Sequence, residues 1–166
     1  MSYICATGQT WFPIGETIRY ELAGALSPFM NAKDVILHIA NEWGNHATLN
    51  VEFVGPGVHG MSLDSRRTLA TMCAEISAEF AVFEADDICV DHIRRVNPEA
   101  QFEPQFADAD ARYADVRSID LDGITPLVAF PGTIVENAHA VADAGSIRID
   151  QAFIGSCANG TLDDFA

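Results

Sequence analysis

The sequence is poor in basic side chains and has none of the long apolar runs that mark a membrane chain. Nine Lys and Arg residues stand against 24 Asp and Glu, a formal charge of −15. No Lys/Arg cluster could track a phosphate backbone or an anionic bilayer, which argues against nucleic acid and membrane surfaces as partners. No stretch approaches the roughly 20 apolar residues of a membrane-spanning helix. The N-terminus "MSYICATGQTWF" lacks a basic region followed by an apolar one, so no secretory signal is read there and a cytoplasmic location is expected. Cysteine is scarce. Cys5, Cys73, Cys89 and Cys157 lie far apart in a chain large enough to fold without staples, which argues for thiols rather than a disulfide framework. Internal repeats, heptads, G-x-S-x-G, H-E-x-x-H and the P-loop are all missing.

What is there is one core's worth of apolar residues, 49% of 166, patterned as strands alternating with helices. "ETIRYELAG" alternates Thr17, Arg19, Glu21 with Ile18, Tyr20, Leu22 and stops at Gly24, the period of a half-buried strand. In "NAKDVILHIANEWG", Asn31 caps a helix with Asp34 three residues on. Val35, Ile36, Ile39, Ala40 and Trp43 share one face, and Gly44 ends it. "ATLNVEFVGPG" returns to alternation. Ser62 or Asp64 opens a second helix with Leu69, Met72, Cys73 and Ile76 as its buried stripe. "FAVF" reads as a short buried strand, "DDICVDHIRRVN" as a short helix closed by Asn97-Pro98, and "VRSIDL" and "IRIDQAFIG" as further strands. The expected fold class is α/β, a three-layer α/β/α arrangement with a mixed or mainly parallel sheet.

Three features invite chemistry and are better read as structure. "GPGVHG", Gly55 to Gly60, matches G-x-G-x-x-G after a strand, with Glu84 beyond the next strand as a possible ribose ligand. But Pro56 has no N–H for a pyrophosphate, the helix starts late, and Asp64 would repel the anion; a turn is the better reading and a dinucleotide site the lesser. Cys89 and His92 form a C-x-x-H with no second pair, so a buried Cys and a partly exposed His are expected rather than zinc. Cys73 belongs to the core stripe, and His38, His46, His59 and His139 read as surface or satisfied histidines.

Glu75 lies beside its helix's apolar stripe, where a catalytic carboxylate and an ion-paired interfacial one are both natural. Cys157 follows an apolar run, sits between Gly155 and Gly160, and precedes "TLDD", which resembles a helix start. Backbone N–H groups at such a turn favour a thiolate or sulfide, while a purely structural cysteine stays open. A helix beginning near Thr161 has few residues before Ala166, so the chain is expected to be a piece of a longer polypeptide.

The segments "WFPIGETIRYELAG", "AKDVILHIANEWG", "VEFVGPGV", "TLATMCAEISAEFAVF" and "IGSCANGTLDD" run in the order seen in the aconitase superfamily, and nearly the whole chain resembles the large subunit of its isopropylmalate isomerase (3-isopropylmalate dehydratase) and homoaconitase branch. The resemblance implies that Cys157, in "GSC-x-N", is the first of three thiolates holding a 4Fe-4S cubane, the other two forming a downstream C-x-x-C. Asn159 matches the asparagine beside that cysteine and would support the cluster. Glu75 falls on the glutamate of the family's "N-M-x-x-E" and would hydrogen-bond the iron-bound water or hydroxyl. Thr71 stands where the family has asparagine, and "FPG", Phe130 to Gly132, replaces the more usual "PH".

The resemblance further implies a hydro-lyase that isomerises a small 2-hydroxy di- or tricarboxylate, of the 2-isopropylmalate or homocitrate type, by dehydration and rehydration, as in leucine biosynthesis. It implies a small-subunit partner and two parts to this chain: 1–145 from the large subunit's second domain, and 146–166 opening the next. With one motif cysteine, the 166 residues alone are expected to bind no cluster and to be inactive in isolation. The competing expectation is a non-catalytic scaffold module.

Overall fold

The structure, a computed structural model, describes residues 2–156 and 158–165. Its centre is a four-stranded, wholly parallel sheet formed by β1 (Glu16–Ala23), β2 (Leu49–Val54), β3 (Phe80–Phe83) and β4 (Asp115–Asp120), in the order β3-β2-β1-β4. Register aligns Ile18 with Val51 and Tyr20 with Phe53, while Leu22 meets Ile119, so every second residue of the inner strands points into one core. Ala81 and Phe83 of β3 extend that row.

Two helices cover this face. α2 (Ala32–Trp43) begins in the expected capping box: the Asn31 side chain accepts from Lys33 N–H at 2.9 Å, and Asp34 accepts from Asn31 N–H at 3.0 Å. The other Asp34 oxygen accepts from Leu127 N–H at 3.0 Å, tying the helix to the hairpin of β5 (Leu127–Ala129) and β6 (Ala138–Ala140). α4 (Leu63–Met72) is capped by Ser62 rather than Asp64. Between them in sequence, Pro56–His59 makes the single turn α3 after β2. Val35, Ile36, Ile39, Leu69, Met72, Cys73 and Ile76 all enter the core with the strands. The opposite face carries Arg19, Glu52 and Tyr113, with the Tyr113 hydroxyl donating to Glu52 at 3.0 Å. α5 (Asp87–Val96) lies at the periphery with no buried residue, and α1 (Ser2–Thr7) precedes the sheet.

Three elements differ from expectation. "FAVF" is a strand but not a buried one: at the sheet edge it has one neighbour, and Phe80 and Val82 are about half exposed. α4 stops at Met72, and Cys73–Ile76 continues as a 3-10 turn closed by Ser77 in the left-handed region. "IRIDQAFIG" alternates correctly yet pairs with nothing. Ile147 and Ile149 are exposed and the segment forms no ladder, because a strand is stable only where an edge accepts its hydrogen bonds.

Candidate active site

The 3-10 turn decides where Glu75 points. In a continued α-helix it would flank the stripe of Leu69, Met72, Cys73 and Ile76. Tightening to three residues per turn keeps Cys73 and Ile76 buried and leaves Glu75 exposed between them. Its carboxylate lines a cavity of about 370 Å³ together with Thr71, Lys33, Gly155, Ser156 and Ala158. Leu37, Met72 and Ile134 supply apolar wall. Thr71 is one helical turn before Glu75 and so on the same side. The ion pair that would make Glu75 merely structural is not found: no ion-pair or hydrogen-bond partner for it exists among the described residues.

Cys157 lies outside the described residues. Its neighbours Ser156 and Ala158 border the same cavity as Glu75, although some 80 residues of chain separate them from it. Ser156 and Asn159 both have positive φ, 81° and 60°, and Asn tolerates that conformation better than most residues. The Asn159 side chain is notable: its Oδ1 position is buried without a hydrogen-bond partner among the described residues. With the two amide atoms exchanged, the same position presents an N–H donor, which is what a thiolate or sulfide accepts.

The other candidates disperse. Cys5 is exposed on α1 and Cys89 half-buried on α5, while burial pushes the Cys73 thiol up to about 12, far from a ligating thiolate. Among the described residues no three His, Cys, Asp or Glu side chains gather as a metal site. His92 of the C-x-x-H has an arginine 3.2 Å from each ring nitrogen, Arg67 at Nε2 and Arg95 at Nδ1. His38 packs edge-on against Trp43, His139 stacks obliquely on Phe130, and His59 reaches Asp86 at 3.4 Å. The glycines of "GPGVHG" serve packing: a Cβ on Gly55 would lie 2.6 Å from the Leu22 carbonyl oxygen, and one on Gly57 2.8 Å from Leu121 Cδ1. They let α3 press against β1, which accounts for the motif without a dinucleotide.

Sequence reasoning passed over two buried polar clusters. One is Arg66 with Asp86; its signal was a charge three residues before Leu69, on the buried stripe. The other joins His46, Tyr20 and Arg117, brought together from three elements with nothing in local spacing to announce it.

Residues 2–145 match the family model described as "Aconitase family (aconitate hydratase)". The chain belongs to the aconitase family. Within that family it is 48% identical over 161 residues to the 3-isopropylmalate dehydratase large subunit of Mycolicibacterium smegmatis, an alignment covering 97% of this chain and 38% of that protein. The large subunits of the same name from Helicobacter hepaticus and Clostridium kluyveri are 42% and 40% identical, again over 97% and 96% of this chain. This aconitase-family chain thus spans 38% of the length of these relatives. Its parallel sheet and alternating helices are the α/β architecture expected of it, and among the described residues no helix is long and apolar enough to cross a membrane.

Proposed function

We propose that these residues are part of a hydro-lyase large subunit that isomerises a 2-hydroxy dicarboxylate of the 2-isopropylmalate type through its dehydrated intermediate. The observation that carries the reading is the cavity shared by Glu75 and the two residues flanking Cys157. Cys157 would be one thiolate ligand of a 4Fe-4S cluster, with the remaining thiolates supplied outside these residues, and Asn159 would donate to a cluster or cysteine sulfur. Bound there, the cluster supplies a Lewis-acidic iron for the hydroxyl that must leave.

The chain's own residues perform the rest. Glu75, open to the cavity, would pass a proton from its carboxyl to the leaving hydroxyl when water is made and take one back from the water when it is added, while the proton on the neighbouring carbon goes to a base supplied outside these residues. Thr71 offers a hydroxyl from the same side as a hydrogen-bond donor or acceptor. Lys33 gives the cavity wall a cationic side chain, suited to a substrate carboxylate. The apolar contribution of Leu37, Met72 and Ile134 suits a branched alkyl substituent. Substrate, small-subunit partner and cytoplasmic location belong to this proposal. In isolation the 166 residues would act as a folded wall of the site, in line with the dispersed cysteines.

The test is Glu75→Gln in the full-length large subunit assembled with its small subunit. Visible absorbance of the cluster is expected to persist while dehydration of 2-isopropylmalate falls at least about 100-fold, the usual contribution of a general acid–base group. Turnover at the parental rate would remove Glu75 from the chemistry.

A further inference from the structure

We infer that His46 is a positioning residue for Glu75: a buried His46–Tyr20–Arg117 network clamps the loop that holds the 3-10 turn bearing the carboxylate. The inference rests on the reading of Glu75 given above.

The loop 44–48 joins α2 to β2 and runs beneath that turn. His46 N–H donates to the Ile76 carbonyl at 2.7 Å, and Asn45 Nδ2 donates to Ser77 Oγ at 3.3 Å. Two consecutive loop residues therefore grip the two residues that follow Glu75. From the other side Ala78 N–H closes on the Cys73 carbonyl at 3.0 Å, and Ser77 takes a φ of 65°. The backbone on both sides of Glu75 is pinned, and its side chain alone is left free toward the cavity.

What holds the loop is the imidazole. His46 is 1% exposed, and its Nδ1 lies 2.9 Å from the Gly44 carbonyl oxygen. A carbonyl only accepts, so Nδ1 carries the proton and Nε2 presents a lone pair. That lone pair receives the Tyr20 hydroxyl at 2.7 Å, with Arg117 Nη1 at 3.2 Å, and the same Nη1 donates to the Tyr20 oxygen at 2.8 Å. Asp115 fixes the guanidinium at 2.7 Å, and it lies over the Trp43 ring, 5.3 Å from its centroid. Burial lowers the His46 pKa and pushes the Tyr20 phenol up to about 12, so the ring stays neutral and the hydroxyl keeps the proton it donates. A buried polar network in which each of these groups is paired specifies one arrangement, whereas an apolar side chain at 46 would fill the space and leave the loop free to shift. A shift of about 1 Å in a reacting group is enough to cost roughly 100-fold in rate.

The experiment compares His46→Leu, His46→Gln, Tyr20→Phe and Glu75→Gln. In this chain, amide exchange at residue 46 is expected to rise at least about tenfold in His46→Leu and Tyr20→Phe and to return toward the parental rate in His46→Gln, whose amide can accept from Tyr20. In the full-length assembled enzyme the first two should lower kcat about 10- to 100-fold with KM within about twofold, and His46→Gln should recover a large part of kcat. Residues that merely pack would not give that split or that rescue. Tyr20→Phe keeps the ring stacking and decides the matter if His46→Leu does not fold. Unchanged exchange at residue 46, or parental kcat in the clamp variants while Glu75→Gln is dead, overturns the inference alone. Parental turnover in Glu75→Gln overturns the functional reading and, with it, the purpose assigned to the clamp.

Discussion

Arg66 meets Asp86 with both of its terminal nitrogens, Nη1 on Oδ1 and Nη2 on Oδ2, each at 2.7 Å. The guanidinium is buried beneath α4, and its Nη2 also donates to the Val58 carbonyl at 3.0 Å. Asp86 in turn caps α5, accepting from Cys89 N–H at 3.2 Å. One ion pair thus fastens the peripheral helix to α4 and to the turn after β2.

The Arg66 hydrogen bonds are the main reason the Asp86 carboxyl is held at about 2 against an ordinary 3.8. A carboxyl depressed in the folded state stabilises the fold above its unfolded pKa, and that contribution fades as pH falls through the folded value. Stability from this pair should be complete above about pH 5 and be lost progressively as pH falls through about 2. Arg66→Met should cost roughly 2–3 kcal/mol at pH 7, because it leaves a largely buried carboxylate without its partner. It should also flatten the acid limb. Urea melts at pH 7 and pH 3 check both. An equal loss at the two pH values would mean that packing, not the ion pair, is what Arg66 contributes.

The glycines after β2 make a second prediction, since Gly55 has a φ of 99° and a Cβ there would collide with Leu22. Gly55→Ala should destabilise by about 1–3 kcal/mol. Gly60→Ala, whose added carbon meets only the Gly57 carbonyl at 3.7 Å, should stay within about 0.5 kcal/mol. A tolerated Gly55→Ala would return the motif to the list of features needing a ligand to explain it.

Cluster binding gives a third. Cys157→Ser in the full-length large subunit should lose iron, because a hydroxyl is a poor substitute for a soft thiolate. The 166 residues alone, reconstituted anaerobically with iron and sulfide, should show no stoichiometric charge-transfer absorbance. Cys5, Cys73 and Cys89 sit on three separate elements, and among the described residues no metal-holding group of side chains gathers. A coloured, stoichiometric product, or parental iron content in Cys157→Ser, would refute the ligand assignment.

Much of the sheet layer was legible because its signals are local. The alternation in β1 and β2 follows from a pleat with one buried face, and the Asn31–Asp34 box is a four-residue signature that the structure reproduces bond for bond. The 3-10 turn at Cys73–Ile76 was not legible, since Leu69, Met72, Cys73 and Ile76 satisfy a helical stripe under either winding. What selects the tighter one is the left-handed Ser77 and the loop below it. "IRIDQAFIG" failed for a related reason: alternation reports a face, and only a partner makes a strand. The candidate site was readable through Glu75 and the cysteine turn as isolated residues. The cavity that Glu75 shares with Ser156 and Ala158 depends on the hairpin after Leu127 and on chain far from both, which no spacing encodes.

The order β3-β2-β1-β4 has a consequence for how the chain folds. Residue 18 pairs with residue 51 on one side and with residue 115 on the other, so the second closure spans about three times as much chain and costs about 1 kcal/mol more in entropy. β1, β2 and β3 can condense with α2 and α4 early, whereas β4 must return from the far end of an irregular excursion, the kind of non-local pairing that slows folding. Until it docks, the outer edge of β1 stays bare and open to a strand from another molecule. Pulse-labelled exchange during refolding should protect β2 before β4, and simultaneous protection of the two would rule this sequence of events out.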